Sequence, residues 1–461
     1  MSSLVINWVL FSISVVCLVY LGIRAKRFVR KDGESGFLLA GRSLGTFVGA
    51  STVVATGFSG WAFVGSPGMA YQYGTIEILA NFMFAPAMVL GVLFFGNYLR
   101  RRAEELGSLT IPEYIAVQHA DGLTRRFIQG FGALITIALL LVFLIGQIKA
   151  LGLLAAPLLG LPMNLAAILL MAVIMVYTTM GGMKAIAWTN GLMAVGMAVG
   201  AVMILIAVFD HTSLTDLMSR LSSIDRELVS PSTGTPYGDS RFSAFLVLPY
   251  AFLFTMCLPY MASRILAFRK DVTMYDAALV VAILTCILSV TPVAGLYARA
   301  YMEPLADPDQ AIIAVINELL GPFTRAFIGL SILFAIQTTA SSLLHTIGSA
   351  ASHDLRKALV PEKELPQSRV LFIDRATVFI FGILAVIGML FAPPFMLVWL
   401  GILGTGSLLA SFAVPVFFSS FWQGNGYGTL AAMLSGLTVS ATMLLYFESG
   451  WIEGPLLGCV V

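Results

Sequence analysis

Apolar residues fall along this chain in runs of about 20 or more, the length a helix needs to cross a bilayer, separated by short polar and arginine-rich breaks. Twelve segments are predicted, near residues 4–23, 44–72, 76–98, 126–155, 163–181, 185–209, 242–265, 273–301, 323–350, 371–392, 394–421 and 427–447. The second segment departs from an ordinary lipid-facing helix. Residues 40–74 read AGRSLGTFVGASTVVATGFSGWAFVGSPGMAYQYG, apolar from Thr46 to Tyr71 yet interrupted by Gly57, Gly60, Gly65, Pro67 and Gly68. Hydroxyls lie among them at Ser51, Thr52, Thr56, Ser59 and Ser66. A glycine costs a helix roughly 1 kcal/mol, and a proline removes a backbone donor. Broken backbone at membrane depth is tolerated where protein buries it or where it lines a cavity. There its freed carbonyls can hold a cation and its half-helix ends a solute. The pattern predicts a binding site on Ala55 to Trp61; a kinked helix packed closely on its neighbours would show the same glycines.

With the first segment set aside, the next ten form two groups of five. The seventh segment is also interrupted, by Pro249 and Pro259. Breaks at corresponding positions of two halves point to a transporter's site, and a repeat of five spans forces the halves to be inverted. The expected organisation is one all-α polytopic membrane domain over residues 1–461. It comprises an extra helix at 4–23, inverted repeats at 44–209 and 242–421, and a further helix at 427–447.

Composition agrees. The chain is 59% hydrophobic and 11% charged, against about 25% charged in soluble domains. A net charge of +2 gives no sign of a nucleic-acid partner, and Cys17, Cys257, Cys286 and Cys459 are scattered without metal-site spacing. The first apolar run has its basic cluster after it rather than before it, the reverse of a signal peptide. With the N-terminus outside, 20 of the 26 basic residues, including Arg42, Arg100, Arg264, Lys363 and Arg375, fall on the cytoplasmic side. The loop at 210–241 reads as solvated linker, whereas the amphipathic stretch in 302–321 fits either a short lid helix lying on the protein or a solvated linker.

GRSLG, then ATGFSGWAFVGSPG, then AIQTTASSLLHTIGSAASHDL resemble the sodium:solute symporter family, over roughly residues 36–440. GSPGMAYQYG and SSIDRELVSP are similar to stretches of its pantothenate permeases. The resemblance implies a leucine-transporter-like architecture of two inverted five-helix repeats with one extra helix in front. It implies a sodium ion as coupling ion, no cofactor, and alternating access in an inner membrane. It places sodium on the carbonyls of Ala55, Phe58 and Ala335 and the hydroxyls of Thr338 and Thr339, with SHDL (Ser352 to Leu355) aligned to the family's TEDL. Adjacent threonines in an apolar helix suit a hard cation that prefers oxygen ligands; they could equally bond back to carbonyls one turn earlier. Proline-transporting members carry an aspartate where this chain has Gly57, and many members add a helix beyond the point where this chain ends.

Substrate contacts are expected from Thr56, Gly57, Ser59, Trp61 and Gln147, and from Phe252 and Thr255 between the two prolines. Glu77, one turn from Asn81, and His345 are gating candidates, because ionisable groups at membrane depth are functional by default. A histidine in simple packing and an interfacial glutamate are the plain alternatives. Gly196 and Gly200 predict close helix packing, and Lys149 is expected to snorkel. The solute expected is a small carboxylate-bearing metabolite. A membrane sensor built on the same fold would need a soluble signalling domain, which these residues do not show. A membrane-embedded enzyme would need a polar catalytic cluster; none is legible, and only His119, His211, His345 and His353 are available.

Overall fold

The computed structural model describes residues 3–360, 365–392, 397–422, 424–447 and 450–460, and these are almost entirely helical. Among them, nine continuous helices are long and apolar enough to cross a membrane, and two helix pairs qualify as bent spans. The helix Met163–His211 has 49 residues, roughly 74 Å at 1.5 Å per residue, more than twice a hydrocarbon core of about 30 Å. It breaks at Gly182 (φ 52°, ψ −144°) and supplies two spans. With that division the helices account for the twelve predicted segments. The start of the segment at 394–421, and Lys363, lie outside the described residues.

Several boundaries differ from expectation. The first helix runs Ser3–Leu39, not 4–23, with a break at Gly33. Its polar extension stays helical because Ala25, Val29, Gly36 and Phe37 are buried against other helices. The segment at 273–301 divides into Met274–Leu288 and Val293–Tyr301 around Pro292. An unpredicted helix, Glu453–Val460, follows the last span. Lys149 does not snorkel: its ammonium bonds the Ala392 carbonyl at the end of helix Gln367–Phe391. Arg264, at the end of the seventh predicted segment, is wholly buried, bonding the Tyr260 carbonyl and the Ser263 hydroxyl.

The helix Pro322–Ser349 is the centre of the molecule. In its most apolar window 89% of residues are buried, against 17% for the first helix, which faces outward. Burial on all sides explains how it carries so many hydroxyls. Ser341, Ser342, Thr346 and Ser349 bond carbonyls three or four residues back, so few polar atoms are stranded. Gly196 and Gly200 let it approach closely, with Ser331 donating to the Gly196 carbonyl at 3.0 Å.

Residues 210–241 are more than linker. Helix Leu214–Ile224 buries Leu217 and Leu221 against Ala70 and Leu296. In 302–321 the amphipathic stretch is a helix, Ala311–Leu319, burying Ala311, Ile312, Val315 and Ile316, rather than a solvated linker.

The turn at Gly182 can be tested. Its positive φ disfavours any side chain, and a methyl there would collide with the Phe37 carbonyl oxygen. Gly182→Ala should cost about 1–3 kcal/mol, read as a lower melting midpoint of the detergent-solubilised protein. Gly191→Ala, with open space around the new methyl, should melt like the parent; equal midpoints for the two variants would contradict this account.

Candidate functional site

The first broken helix runs Thr46–Gly57, leaves helical geometry at Phe58 (φ −84°, ψ 70°), and resumes at Trp61–Tyr73 after a 56° bend. Ser59 restarts it by accepting the Trp61 N–H at 3.2 Å. The second broken helix, Arg241–Cys257 followed by Pro259–Leu266, bends by 61°. Leu258 is extended there (φ −69°, ψ 130°), as the residue before a proline prefers.

The first broken helix meets Pro322–Ser349 at its bend. The Thr338 hydroxyl lies 2.7 Å from the Ala55 carbonyl and 2.8 Å from the Ala335 carbonyl. Thr339 donates to the Thr56 carbonyl at 3.1 Å. Three of the five sodium-ligand candidates therefore meet directly and Thr339 joins them one residue along. Phe58 follows at the bend, its ring edge-on to Phe84. Back-bonding explains only half of what Thr338 does and nothing of Thr339. Behind the junction the Thr56 hydroxyl contacts Ser342 at 3.0 Å and accepts from Asn190 at 3.3 Å.

Beside the junction lies a cavity of about 200 Å³. Thr56, Gly57, Ser59, Trp61, Gln147 and Glu77 all line it, as does Thr339. Gln147 is buried, and its Oε1 has no hydrogen-bond partner. Phe252 and Thr255 do not line it. Phe252 packs edge-on against Phe417, and Thr255 bonds back to the Ala251 carbonyl. The rotation of helix Val247–Cys257 puts Val247, Tyr250 and Phe254 on the cavity face instead. Glu77 is not an exposed interfacial residue. It is buried, with its carboxyl oxygens bonded by the hydroxyls of Ser66 and Tyr237. Asp309, Tyr237 and Trp451 were missed in the sequence. Asp309 was visible only as an acidic residue beside the lid helix, and Trp451 gave no local signal.

The opposite end, which carries the basic loops, is closed. Leu44 pairs with the segment after the second broken helix: its N–H donates to Ala267 and its carbonyl accepts from Arg269, at 3.0 and 2.9 Å. Arg42 donates to the carbonyls of Ser108 at 2.8 Å and Leu266 at 3.2 Å. His345 is packing rather than an open path: it is buried, 3.0 Å from the Phe37 carbonyl, beside a void of only about 20 Å³. His353 does more. Its two nitrogens lie 2.8 Å from Glu34 and 2.9 Å from Glu113, so both donate and the ring is an imidazolium. Burial would raise the Glu113 carboxyl, but the charges and hydrogen bonds of His353 and Lys357 hold it well below the usual carboxylate range. Among the described residues no group of His, Cys, Asp and Glu has metal-site geometry.

The model of the sodium:solute symporter family matches residues 37–436. The sodium/pantothenate symporter of Haemophilus influenzae is 26% identical over 88% of this chain and 83% of its own length. The high-affinity proline transporter of Bacillus subtilis is 26% identical over 92% of this chain and 89% of its own. Among solved structures, the substrate-bound, outward-open state of a sodium-coupled sialic acid symporter superposes with a TM-score of 0.80. Its identity is 15%, over 99% of this chain and 95% of that one. Mhp1, a nucleobase-cation-symport-1 family transporter, gives 0.56 at 16% identity, with 92% of each chain covered. The fold is thus the inverted-repeat, leucine-transporter type that these symporters share.

Gly57 offers the sharpest test of which face lines the cavity. A methyl there would meet only the flexible ends of Met88 and Met261, at 3.1 and 3.2 Å. Gly57→Ala should therefore bind solute nearly normally. Gly57→Asp should weaken solute binding at least tenfold while sodium still raises the melting midpoint. Unchanged solute affinity in the aspartate variant would mean that Gly57 does not face the solute.

Proposed function

Because the chain belongs to the sodium:solute symporter family, we propose that it imports a small organic solute together with sodium by alternating access. It is a transporter and not an enzyme, as its relatives are. The observation that carries the reading is the junction at which the Thr338 hydroxyl is shared by carbonyls of two helices. A sodium ion entering there would replace the hydrogen bonds, with the Thr338 O–H turning aside to offer its oxygen lone pair. The carbonyls of Ala55, Phe58 and Ala335 and the hydroxyls of Thr338 and Thr339 would hold it, the all-oxygen donor set a hard cation prefers. The ion would thus fix the bend of the first broken helix and, with it, the wall of the cavity.

In this reading residues 44–209 and 242–421 are the inverted halves, the chain sits in an inner membrane with its N-terminus outside, and the basic end is cytoplasmic. The cavity then faces outward beneath Asp309, Tyr237 and Trp451, with Glu77 at its outer wall. Import requires the contacts of Arg42, Leu44 and His353 to open while this end closes. All five ligands are neutral, so a zwitterion, or a monoanion with two sodium ions, would carry net positive charge inward. Each such charge gains about 2.3 kcal/mol per 100 mV. Sodium and solute should raise each other's affinity by one common factor. A carboxylate-bearing solute would find no Lys, Arg or His on the cavity wall among the described residues and would rest on hydroxyls and N–H groups.

Sodium titrations test the junction whatever the solute is. The midpoint of sodium-dependent thermal stabilisation should rise about tenfold or more in Thr338→Ala and Thr339→Ala, with potassium inert throughout. In proteoliposomes, uptake of a transported solute should show the same shift and accelerate with an interior-negative potential. A parental sodium response in both variants would place the ion elsewhere.

A further inference from the structure

The proposed symport leaves the solute unspecified, and the charge and wall chemistry of the cavity narrow it. Among the described residues the lining has two acidic side chains, Glu77 and Asp309, and no basic one. The acids are not equivalent. Glu77 has both oxygens engaged by hydroxyls. Asp309, also on the cavity wall, is the middle residue of the turn Pro308–Gln310 that leads into helix Ala311–Leu319. Its backbone N–H bonds Asp307, but no donor or basic partner meets its carboxylate among the described residues. Burial, and then the charge of Asp307, raise that carboxyl to about 6, which leaves it ionised at neutral pH.

Two further features match a positive ligand rather than a negative one. Trp61, Phe84, Tyr250, Phe254, Tyr260 and Trp451 all line the cavity, and the faces of such rings attract cations, most strongly when water is excluded. Trp61 and Trp451 stand edge to face, 5.8 Å apart, so one indole holds the other. Deeper in, the buried Gln147 oxygen is an acceptor without a donor. A buried acceptor left without a donor is costly, and an N–H of a bound solute would satisfy it.

We propose that the solute carries a cationic nitrogen, admitted past Asp309 and held between the aromatic walls with Gln147 beneath it. This rests on the symport reading and specifies its cargo. A zwitterionic amino acid or betaine and a simple organic cation share that nitrogen, and the test separates them. A solute whose only charge is negative is excluded.

The experiment uses the whole purified protein in lipid nanodiscs with sodium chloride. Binding is followed by intrinsic tryptophan fluorescence and melting midpoint, with proline, glycine betaine, choline, pantothenate and sialic acid as probes. Saturable, sodium-dependent binding of proline or glycine betaine supports a zwitterion; of choline alone, a simple cation. For whichever binds, Asp309→Asn should lower affinity about tenfold and Asp309→Glu should largely restore it, with sodium stabilisation unchanged in both. Saturation by pantothenate or sialic acid with no response to any nitrogen cation overturns the proposal, as does parental affinity in Asp309→Asn. Sodium-driven uptake of pantothenate would leave the symport reading standing while removing this one. Loss of the sodium response itself would remove the symport reading instead.

Discussion

The Thr338 hydroxyl can give its one hydrogen to only one acceptor at a time, yet two carbonyls on different helices stand within 2.8 Å of it. That arrangement requires three things of the surrounding chain. The first broken helix must lose its own hydrogen bonds near Ala55 to free a carbonyl, which Gly57 and the non-helical Phe58 accomplish. The partner helix must be buried on all sides, since a hydroxyl-rich face would not survive in lipid. Most other hydroxyls of that helix must be satisfied locally, leaving Thr338 and Thr339 to reach the carbonyls of the first broken helix. The back-bonds of Ser341, Ser342, Thr346 and Ser349 do this.

The two ends of the molecule are held by different physics. At the basic end, main-chain pairing of Leu44 with the 267–269 segment joins the two broken helices directly. A charged cluster then ties the first helix, through Glu34, to helix Ile111–His119, through Glu113, by way of one imidazolium. Histidine stands here where the resembling family motif has glutamate. With Glu34 and Glu113 on either side, a third carboxylate would be repelled, whereas a cation is held by both. At the other end, among the described residues, the contact across the cavity wall is the hydrogen bond from the Tyr237 hydroxyl to Glu77. Asp309 of a turn, Tyr237 of a loop and Trp451 line the cavity there, with Tyr237 bonded to Glu77 and Trp451 packed edge-on against Trp61.

Legibility in the sequence followed the range of the signal. Segment lengths, the two breaks and the paired threonines are local patterns, and they gave the spans, the broken helices and the junction. The substrate face of helix Val247–Cys257 was not legible. Its apolar residues cover the whole circumference, so no periodicity distinguishes Phe254 from Phe252, and the two prolines mark the depth of the break but not its rotation. Thr255 was misleading for a related reason: a hydroxyl on an apolar helix is as readily spent on its own backbone as on a ligand. Tyr237 and Trp451 come from segments far apart in sequence that fold over one end, and no local feature announces their convergence. His345 showed the limit of reading ionisable residues as functional, because one carbonyl of the first helix was enough to account for it.

Cavity and junction share a wall, and under the proposed symport this shared wall is where the two ligands would be coupled. The carbonyls of Ala55 and Thr56 meet helix Pro322–Ser349, and Thr56, Gly57 and Phe58 line the cavity. Thr339 belongs to both, lining the cavity while bonding the Thr56 carbonyl. A ligand that repositions Gly57 or Ser59 therefore moves the Ala55 and Thr56 carbonyls. An ion that draws those carbonyls together reshapes the space over Gly57. The ends of Met88 and Met261 lie over Gly57, 3.1 and 3.2 Å from where a side-chain carbon there would stand, so the space on that side is bounded by flexible side chains. Differential contact through the shared wall is what reciprocal affinity requires.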